Sequence, residues 1–233
     1  MNETSRLRHK RLLDLVGATV GIVVASPLLA WTAAAILVTQ GRPILFRQPR
    51  PGLHGRPFTI YKFRTMRQPR LDEVWYATDS ERVTRLGRFL RATSIDELPE
   101  FWNVLRGEMS LVGPRPLLMD YLESYTPEQR RRHNVRPGLT SWAAVNGRHA
   151  LRFEERLALD VWYVDNWDLR LDARILLMTI RQVLRRTDVS DVQSVARIGF
   201  PLPGLIDTDA SGNRNDPPEE AVARSLRDPE QSQ

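Results

Sequence analysis

The chain has 233 residues, with 34 lysines and arginines, 28 aspartates and glutamates, and no cysteine, which excludes disulfides, thiolate metal sites and cysteine nucleophiles. The formal net charge is +6, but residues 205–233 hold seven acids and three arginines, so residues 1–204 carry a net charge of +10. A body this basic predicts an anionic partner: nucleic acid, phospholipid or a phosphorylated substrate.

The first predicted element is an apolar helix over residues 15–38, LVGATVGIVVASPLLAWTAAAILV, which contains no charged residue. Its 24 residues exceed the roughly 20 that a helix needs to cross a bilayer core, so a simple spanning helix is one interpretation. Ser26-Pro27 near the middle indicates a kink, because proline removes a backbone donor. Asp14 lies at helical spacing from Lys10 and Arg11, and we expect it to pair with them.

The basic residues around this run favour a different topology. A spanning helix is expected to gather lysine and arginine on its cytoplasmic side, whereas here both ends are basic. The sequence therefore favours a re-entrant, monotopic membrane helix within residues 1–40, which enters and leaves by one face. The flanking residues are Arg6, Arg8, Lys10 and Arg11 before the run, and Arg42, Arg47, Arg50 and Arg56 after it.

Short strands and helices follow in chain order. Residues 41–55 are rich in proline and glycine and predict loops around a short strand, and 57–66 alternate apolar and polar residues as a strand does. Helices are predicted over 81–90, from Ser94, over 151–165 and over 171–186. The last places Ile175, Met178 and Leu184 near one face with arginines elsewhere, which fits an interfacial helix or an ordinary core helix.

The predicted fold class is therefore α/β, mostly helical with a few short strands. We divide the chain into a membrane anchor (1–40), a main domain (41–204) and a disordered acidic tail (205–233).

The stretch RATSIDELPEFWNVLRGEMSLVGPRP, residues 91–116, places two acids side by side, Asp96 and Glu97. One interpretation is structural: Ser94 as N-cap and Glu97 at N3 would form a capping box, with Asp96 in the first turn. The other is chemical, because an ionised aspartate can attack phosphorus or bind Mg²⁺. Such a site needs cations to neutralise phosphates. The candidates are Lys62, Arg64, Arg91, Arg115 and Arg148.

Five motifs follow one another along the chain: KRLLD (10–14), YKFRTM (61–66), RLGRFLRATSIDELPEFWNVLRGEMSLVGPRP (85–116), RPGLTSWAAVNGR (136–148) and DVWYVDNWDLRLDARIL (160–176). Taken together, they resemble the bacterial sugar transferases that are small monotopic phosphoglycosyl transferases. The resemblance implies a re-entrant membrane helix followed by a compact α/β domain held at the bilayer interface by amphipathic helices. It implies a location on the cytoplasmic face of the bacterial inner membrane.

The resemblance also implies a reaction: transfer of a sugar-1-phosphate from a nucleotide diphosphate sugar, usually a UDP-sugar, to polyprenyl phosphate, with release of UMP. Mg²⁺ would be the cofactor, and membrane lipid and downstream glycosyltransferases would be further partners. Such a reaction initiates the assembly of an exopolysaccharide, capsule or glycoconjugate.

Residue roles follow from the same resemblance. Asp96 would attack the β-phosphate and form an aspartyl-phosphosugar intermediate, while Glu97 would help with the metal or with deprotonation. Other expected roles are phosphate binding (Arg115), nucleotide-sugar binding (Arg148), the basic pair of the strand motif (Lys62, Arg64), metal binding (Asp96, Glu97, Asp172), the anchor motif (Lys10, Arg11, Asp14) and the helix break (Ser26, Pro27).

Some questions stay open on the residues alone. Ser141 and Ala144 stand where glycine and glutamine are commoner in the family, and the motifs do not identify the sugar. A membrane-anchored adaptor whose acid pair only caps a helix is an alternative function. A nucleic-acid binder is disfavoured, because no recognised binding module is present and the apolar run would be unexplained.

Overall fold

The structure is a computed structural model that describes residues 3–68, 79–147 and 151–185. Arg148 and the predicted acidic tail, 205–233, lie outside these residues. The described part is mostly helical with four short strands, as predicted. The elements are α1 (Glu3–Gln40), β1 (Leu45–Pro51), β2 (Pro57–Phe63), α2 (Asp79–Arg82), α3 (Arg85–Ala92), α4 (Glu100–Arg106), β3 (Ser110–Val112), α5 (Pro127–Arg130), β4 (Gly138–Thr140), α6 (Trp142–Val145), α7 (Phe153–Asn166) and α8 (Leu169–Arg185).

The strands form two separate pairs. β1 and β2 are an antiparallel hairpin whose register runs from Leu45 opposite Phe63 to Pro51 opposite Pro57. β3 and β4 are parallel, with Ser110 opposite Gly138. Close backbone approach beyond β3 requires glycine, because a Cβ on Gly138 would lie 2.1 Å from the Gly113 nitrogen. The parallel pair therefore fixes the start of the Gly-Pro-Arg-Pro turn that follows β3.

α1 packs on the rest of the chain near both of its ends. In its first half, Ala18 is fully buried with Val104 and Met109, and a Cβ on Gly21 would lie 2.8 Å from the Phe101 ring. In its second half, Ile36 is fully buried in a cluster with Phe63. Between Gly21 and Leu29 most side chains are exposed, and Val24 is 75% exposed. α1 is long and apolar enough to cross a membrane by length and composition.

The Ser-Pro pair lies inside a helix that continues through it. α1 runs for 38 residues with Pro27 within it, so the predicted helix break is not seen as an end of the helix. Proline at this position cannot donate to the carbonyl four residues earlier, that of Val23. The Ser26 hydroxyl donates to this carbonyl at 2.8 Å. Ser26 thus satisfies the acceptor that Pro27 leaves without its backbone donor.

The main core lies between β3, α6, α7 and α8. Trp142 stacks on Trp162 with ring centroids 5.2 Å apart, and Ile175 of α8 is fully buried beside them. Met178 also packs on this core, which favours the core-helix interpretation for that face of α8. The same helix exposes a second apolar stripe, at Leu177, Ile180 and Val183.

Candidate active site

The acid pair lies on a short 3₁₀ turn between two helices. Thr84 caps α3, and after α3 ends, Ser94 adopts a left-handed backbone conformation with φ of 55°. Ile95–Glu97 form the 3₁₀ turn, and α4 begins at Glu100 after Pro99. The predicted capping box is wrong, because Ser94 makes no side-chain capping bond and the Glu97 side chain turns to distant cations.

Glu97 is held by two of the predicted substrate-binding residues. Lys62 of β2 donates to Glu97 Oε1 at 2.7 Å, and Arg115 donates to both Glu97 oxygens. Burial alone would raise the pKa of Glu97, but Arg115 and Lys62 outweigh it and hold this pKa well below its usual range. Glu97 therefore stays ionised and fixes the position of both cations.

Asp96 has a different environment from its neighbour. The residue is buried, at 8% exposed, and within the described ranges no donor forms a hydrogen bond to its carboxylate. Burial, and then the charge of Glu97, raise the pKa of Asp96, while Lys62, Arg91 and Arg115 oppose this rise. A carboxylate that is close to three cations yet not hydrogen-bonded to them is available for chemistry.

A third carboxylate, Glu100, joins this group, and the sequence reasoning missed it. Glu100 is 3% exposed, and its Oε1 lies 3.1 Å from Lys62 Nζ without the geometry of a hydrogen bond. Burial raises its pKa to about 7, with Lys62 opposing and Glu97 reinforcing the shift. Its spacing could have revealed Glu100 as a site residue, because Glu100 stands three residues after Glu97, about one helical turn.

The backbone of Arg115 is fixed by a buried ion pair. Arg132 donates to the Arg115 carbonyl at 2.7 Å and to Asp160 Oδ2 at 2.6 Å. Both partners of this pair are almost fully buried, and Arg132 also donates to the Tyr125 hydroxyl at 3.2 Å. Local spacing could not reveal this pair, because its members are 28 residues apart.

Arg64, the second base of the strand motif, is not brought to the acid pair. Its guanidinium donates to the carbonyls of Gln40, Gly41 (2.8 Å) and Arg42 (3.0 Å). These carbonyls lie at and just beyond the end of α1, where acceptors lack helical partners. Arg64 therefore caps the C-terminal end of α1, and its predicted contact with substrate gains no support from this placement.

The three residues of the anchor motif each reach a different element. Lys10 pairs with Asp172 of α8 at 2.6 Å. Arg11 donates to the carbonyls of Val104 (2.7 Å) and Leu105 (3.0 Å) at the end of α4. Asp14 accepts from Ser110 Oγ and the Leu111 amide at 2.9 Å each, so its expected pairing with Lys10 and Arg11 is wrong.

Asp172 belongs to this anchor network and not to the acid pair. One of its oxygens bonds to Lys10, and the other accepts from the Tyr163 hydroxyl at 2.7 Å. In the described ranges no three acidic, histidine or cysteine side chains come together as a metal site. The predicted metal set of Asp96, Glu97 and Asp172 is therefore not formed.

Mg²⁺ does not require such a set. It commonly binds one or two carboxylates together with substrate phosphates. Asp96, whose oxygens accept no described hydrogen bond, fits this role, whereas Glu97 would have to release Lys62 or Arg115 first.

Comparison with known proteins decides the family. The bacterial sugar transferase family matches residues 5–186 of the chain. The chain belongs to this family. Its membership confirms the predicted family and the prediction that the chain is an enzyme, a sugar-phosphate transferase.

The relatives of this chain include an uncharacterised protein and proteins named for a specific transfer reaction. The chain is 53% identical over 191 residues to an uncharacterised sugar transferase, EpsL, of Bacillus subtilis, covering 82% of this chain and 95% of that protein. It is 44% identical to a UDP-glucose:undecaprenyl-phosphate glucose-1-phosphate transferase of Caulobacter vibrioides, over 76% of this chain and 70% of the relative. It is 38% identical to an undecaprenyl-phosphate galactose phosphotransferase of Salmonella typhimurium, over 76% of this chain and 40% of that longer protein.

Proposed function

We propose that the chain transfers a sugar-1-phosphate from a UDP-sugar to undecaprenyl phosphate, with Asp96 as the nucleophile. The observation that carries this proposal is the contrast within the acid pair: Asp96 is buried without a described hydrogen-bond donor, while Glu97 holds Lys62 and Arg115. The named reactions of the Caulobacter and Salmonella relatives support the choice of donor and acceptor.

In the first half-reaction, an Asp96 oxygen bonds to the β-phosphorus of the donor. The bond between that phosphorus and the bridging oxygen breaks, and UMP leaves with this oxygen and its electron pair. Lys62 and Arg115 are close enough to the acid pair to offset the charge of the incoming diphosphate. Mg²⁺, when held by Asp96 and the donor phosphates, would supply further neutralisation of that charge.

In the second half-reaction, a phosphate oxygen of undecaprenyl phosphate attacks the same phosphorus. The aspartyl–phosphorus bond breaks, and Asp96 returns to its carboxylate form. The depressed pKa of Glu97 makes it a weak proton acceptor, which favours a role in orienting Lys62 and Arg115. Glu100, with its pKa raised to about 7, is better suited to accept any proton that the acceptor phosphate releases.

The proposed topology is a re-entrant α1, with the catalytic domain on the cytoplasmic face. α1 contacts the domain at Gly21, beside Phe101, and again at Leu29, in the cluster of Phe63. The residues between these contacts, 22–28, span about 10 Å of helix, against a bilayer core of about 30 Å. Contacts with one domain on both sides of so short a segment support a re-entrant placement over a crossing of the bilayer.

The exposed stripe of α8 supports placement at the bilayer surface. Leu177, Ile180 and Val183 face outward, and the exposed Arg170 and Arg174 lie on the same helix. Arginine near an apolar stripe can reach anionic headgroups while the apolar side chains enter the interface.

The proposed chemistry is tested with detergent-solubilised protein, Mg²⁺ and a panel of UDP-sugars, first without acceptor. With one sugar, wild type should gain the mass of a phosphosugar and release UMP. Asp96→Asn should show neither, with UMP release at least about 10³-fold slower, because it lacks the nucleophile but keeps the shape of the side chain. Glu123→Gln, which removes an exposed acid, is the matched control.

Two results would contradict this mechanism. An adduct that persists in Asp96→Asn would assign the nucleophile to another residue. If wild type neither gains mass nor releases UMP with any UDP-sugar, with or without undecaprenyl phosphate, the adaptor function would replace the enzyme.

A further inference from the structure

Arg156 on α7 is a half-buried arginine with two guanidinium nitrogens that lack hydrogen-bond partners. Its Nε and Nη2 atoms are both buried and form no hydrogen bond. The acid at helical pairing distance is Asp160, four residues later, where an arginine could normally pair with it. Asp160 Oδ2 instead accepts two bonds from Arg132, at 3.1 and 2.6 Å. The local partner of Arg156 is thus already committed to holding the Arg115 backbone.

Arg50 on β1 is in a similar position on another side of Arg115. Its Nε is buried without a hydrogen-bond partner, and its described side-chain bond is to Gln48, at 2.6 Å. The pKa of Arg50 is lowered to about 10, first by burial and then by the charge of Arg115. The charge of Glu100 raises this pKa, but by less. Burial and then Arg115 also lower the pKa of Arg156. Pro51, the residue after Arg50, lines one cleft with Arg115 and Arg132. Arg132 in turn joins the Arg115 carbonyl to Asp160, one turn from Arg156. Arg50 and Arg156 therefore both lie near Arg115.

Buried guanidinium nitrogens without hydrogen-bond partners are costly, and the charge of Asp160 offsets this cost for Arg156 only in part. Phosphate offsets such a cost well, because a guanidinium can donate two parallel hydrogen bonds to it. Arg115 already lies beside the acid pair through Glu97, so an anion placed between these arginines would be next to the reacting group.

We propose that Arg156 and Arg50, together with Arg115, bind a phosphoryl group of a substrate. The identity of that substrate rests on the proposed function: the group belongs either to the diphosphate of the donor or to the phosphate of the lipid acceptor. Arg156 and Arg50 are binding residues that lie outside the set predicted from the sequence.

The site is tested first with inorganic pyrophosphate, which requires no turnover. Isothermal titration on the full chain in detergent compares wild type with Arg156→Met and with Arg152→Gln. Arg152 is the N-cap residue of the same helix, about one turn before Arg156. Its side chain is exposed and pairs only with Glu155 among its described ion pairs. Arg156→Met should weaken pyrophosphate binding about tenfold or more, and Arg152→Gln should change it less than twofold.

Thermal unfolding separates binding from a structural role. Since Arg156 Nε and Nη2 have no partner to lose, Arg156→Met should keep or raise the Tm while it weakens binding. A lowered Tm, an unchanged pyrophosphate affinity, an equal loss in Arg152→Gln, or no binding by wild type would each overturn the site.

Steady-state kinetics then assign the phosphate. A raised KM for the UDP-sugar in Arg156→Met supports a site for the donor diphosphate, and a raised KM for undecaprenyl phosphate supports a site for the acceptor. If wild type binds pyrophosphate through Arg156 but turns over no UDP-sugar, the phosphate site stands and the proposed function fails.

Discussion

At the scale of single residues, two adjacent carboxylates have different properties because different side chains surround them. Lys62 and Arg115 bond to Glu97 and depress its pKa, whereas Asp96 accepts no described hydrogen bond and has a raised pKa. Neighbouring acids whose pKa values are pushed apart are commonly suited to separate tasks. Here the arrangement suits Asp96 to attack and Glu97 to orient cations.

Glu100 should make the stability of the protein depend on pH. Its folded pKa of about 7 is above the ordinary value of 4.5, so its stabilising contribution is complete below pH 4.5 and is lost as the pH rises through 7. Glu100→Gln imitates the protonated carboxyl and cannot titrate. The Tm of wild type should therefore fall relative to that of Glu100→Gln by a few degrees between pH 5 and pH 8.

The test uses the difference in Tm between wild type and Glu100→Gln at each pH. His133 is buried with its pKa lowered to about 4, and it changes stability in the opposite direction as the pH rises from 4 towards 6.5. This contribution is common to both proteins and cancels in the difference. A Tm difference that stays constant from pH 5 to pH 8 would mean that Glu100 does not titrate in this range.

At the scale of elements, the anchor motif ties α1 to three parts of the domain. Lys10 reaches α8, Arg11 reaches the end of α4, and Asp14 reaches β3. The partners in these contacts are about 90 to 160 residues apart along the chain. Each contact replaces a hydrogen bond that the side chain would otherwise make to water. The motif therefore positions the membrane helix against the catalytic domain.

The Lys10–Asp172 pair gives a test that separates anchoring from metal binding. Lys10→Met alone leaves the Asp172 charge buried and unpaired, and should destabilise the protein by about 3–5 kcal/mol. Adding Asp172→Asn removes that charge while leaving an acceptor for Tyr163, so the double variant should recover most of the lost Tm. It should also keep most of the UMP release.

Arg8→Met, an exposed substitution on the same helix, is the control for removing a positive charge from α1. If the double variant is well folded but releases no UMP, Asp172 acts in catalysis, as the sequence predicted, and its contact with Lys10 is not its main role.

The elements set by local pattern were predictable, and those set by distant contacts were not. The predicted helices over 151–165 and 171–186 match α7 (Phe153–Asn166) and α8 (Leu169–Arg185) to within two residues. The capping box failed because Lys62, 35 residues away, competes for Glu97. Arg64 and Asp14 were assigned to the correct motifs, but their partners lie too far along the chain for spacing to reveal them.

At the scale of the whole molecule, charge and topology support one arrangement at a membrane. The basic body, net +10 over residues 1–204, suits an anionic bilayer surface and a phosphorylated substrate. The apolar middle of α1 is exposed, and the helix packs on the domain on both sides of this exposed part. The proposed site would then lie near the height of a lipid phosphate, where a soluble donor and a lipid acceptor can both reach Asp96.

The re-entrant topology can be tested with single cysteines, because the chain has none of its own. Arg8→Cys and Thr39→Cys place a thiol near each end of α1, Glu128→Cys reports the domain, and Val24→Cys reports the apolar middle; all four positions are exposed in the structure. A membrane-impermeant maleimide should label the first three in inverted inner-membrane vesicles and none in intact spheroplasts. Val24→Cys should react only after detergent is added, because lipid covers it.

A spanning α1 would give a different pattern. Arg8→Cys and Thr39→Cys would then react from opposite sides of the membrane, and only one of them would share the side of Glu128→Cys. Labelling of Val24→Cys in vesicles without detergent would instead mean that α1 lies on the surface of the bilayer. Contacts at both Gly21 and Leu29 leave only about 10 Å of helix between them, and this short length is why we expect the ends to react from one side.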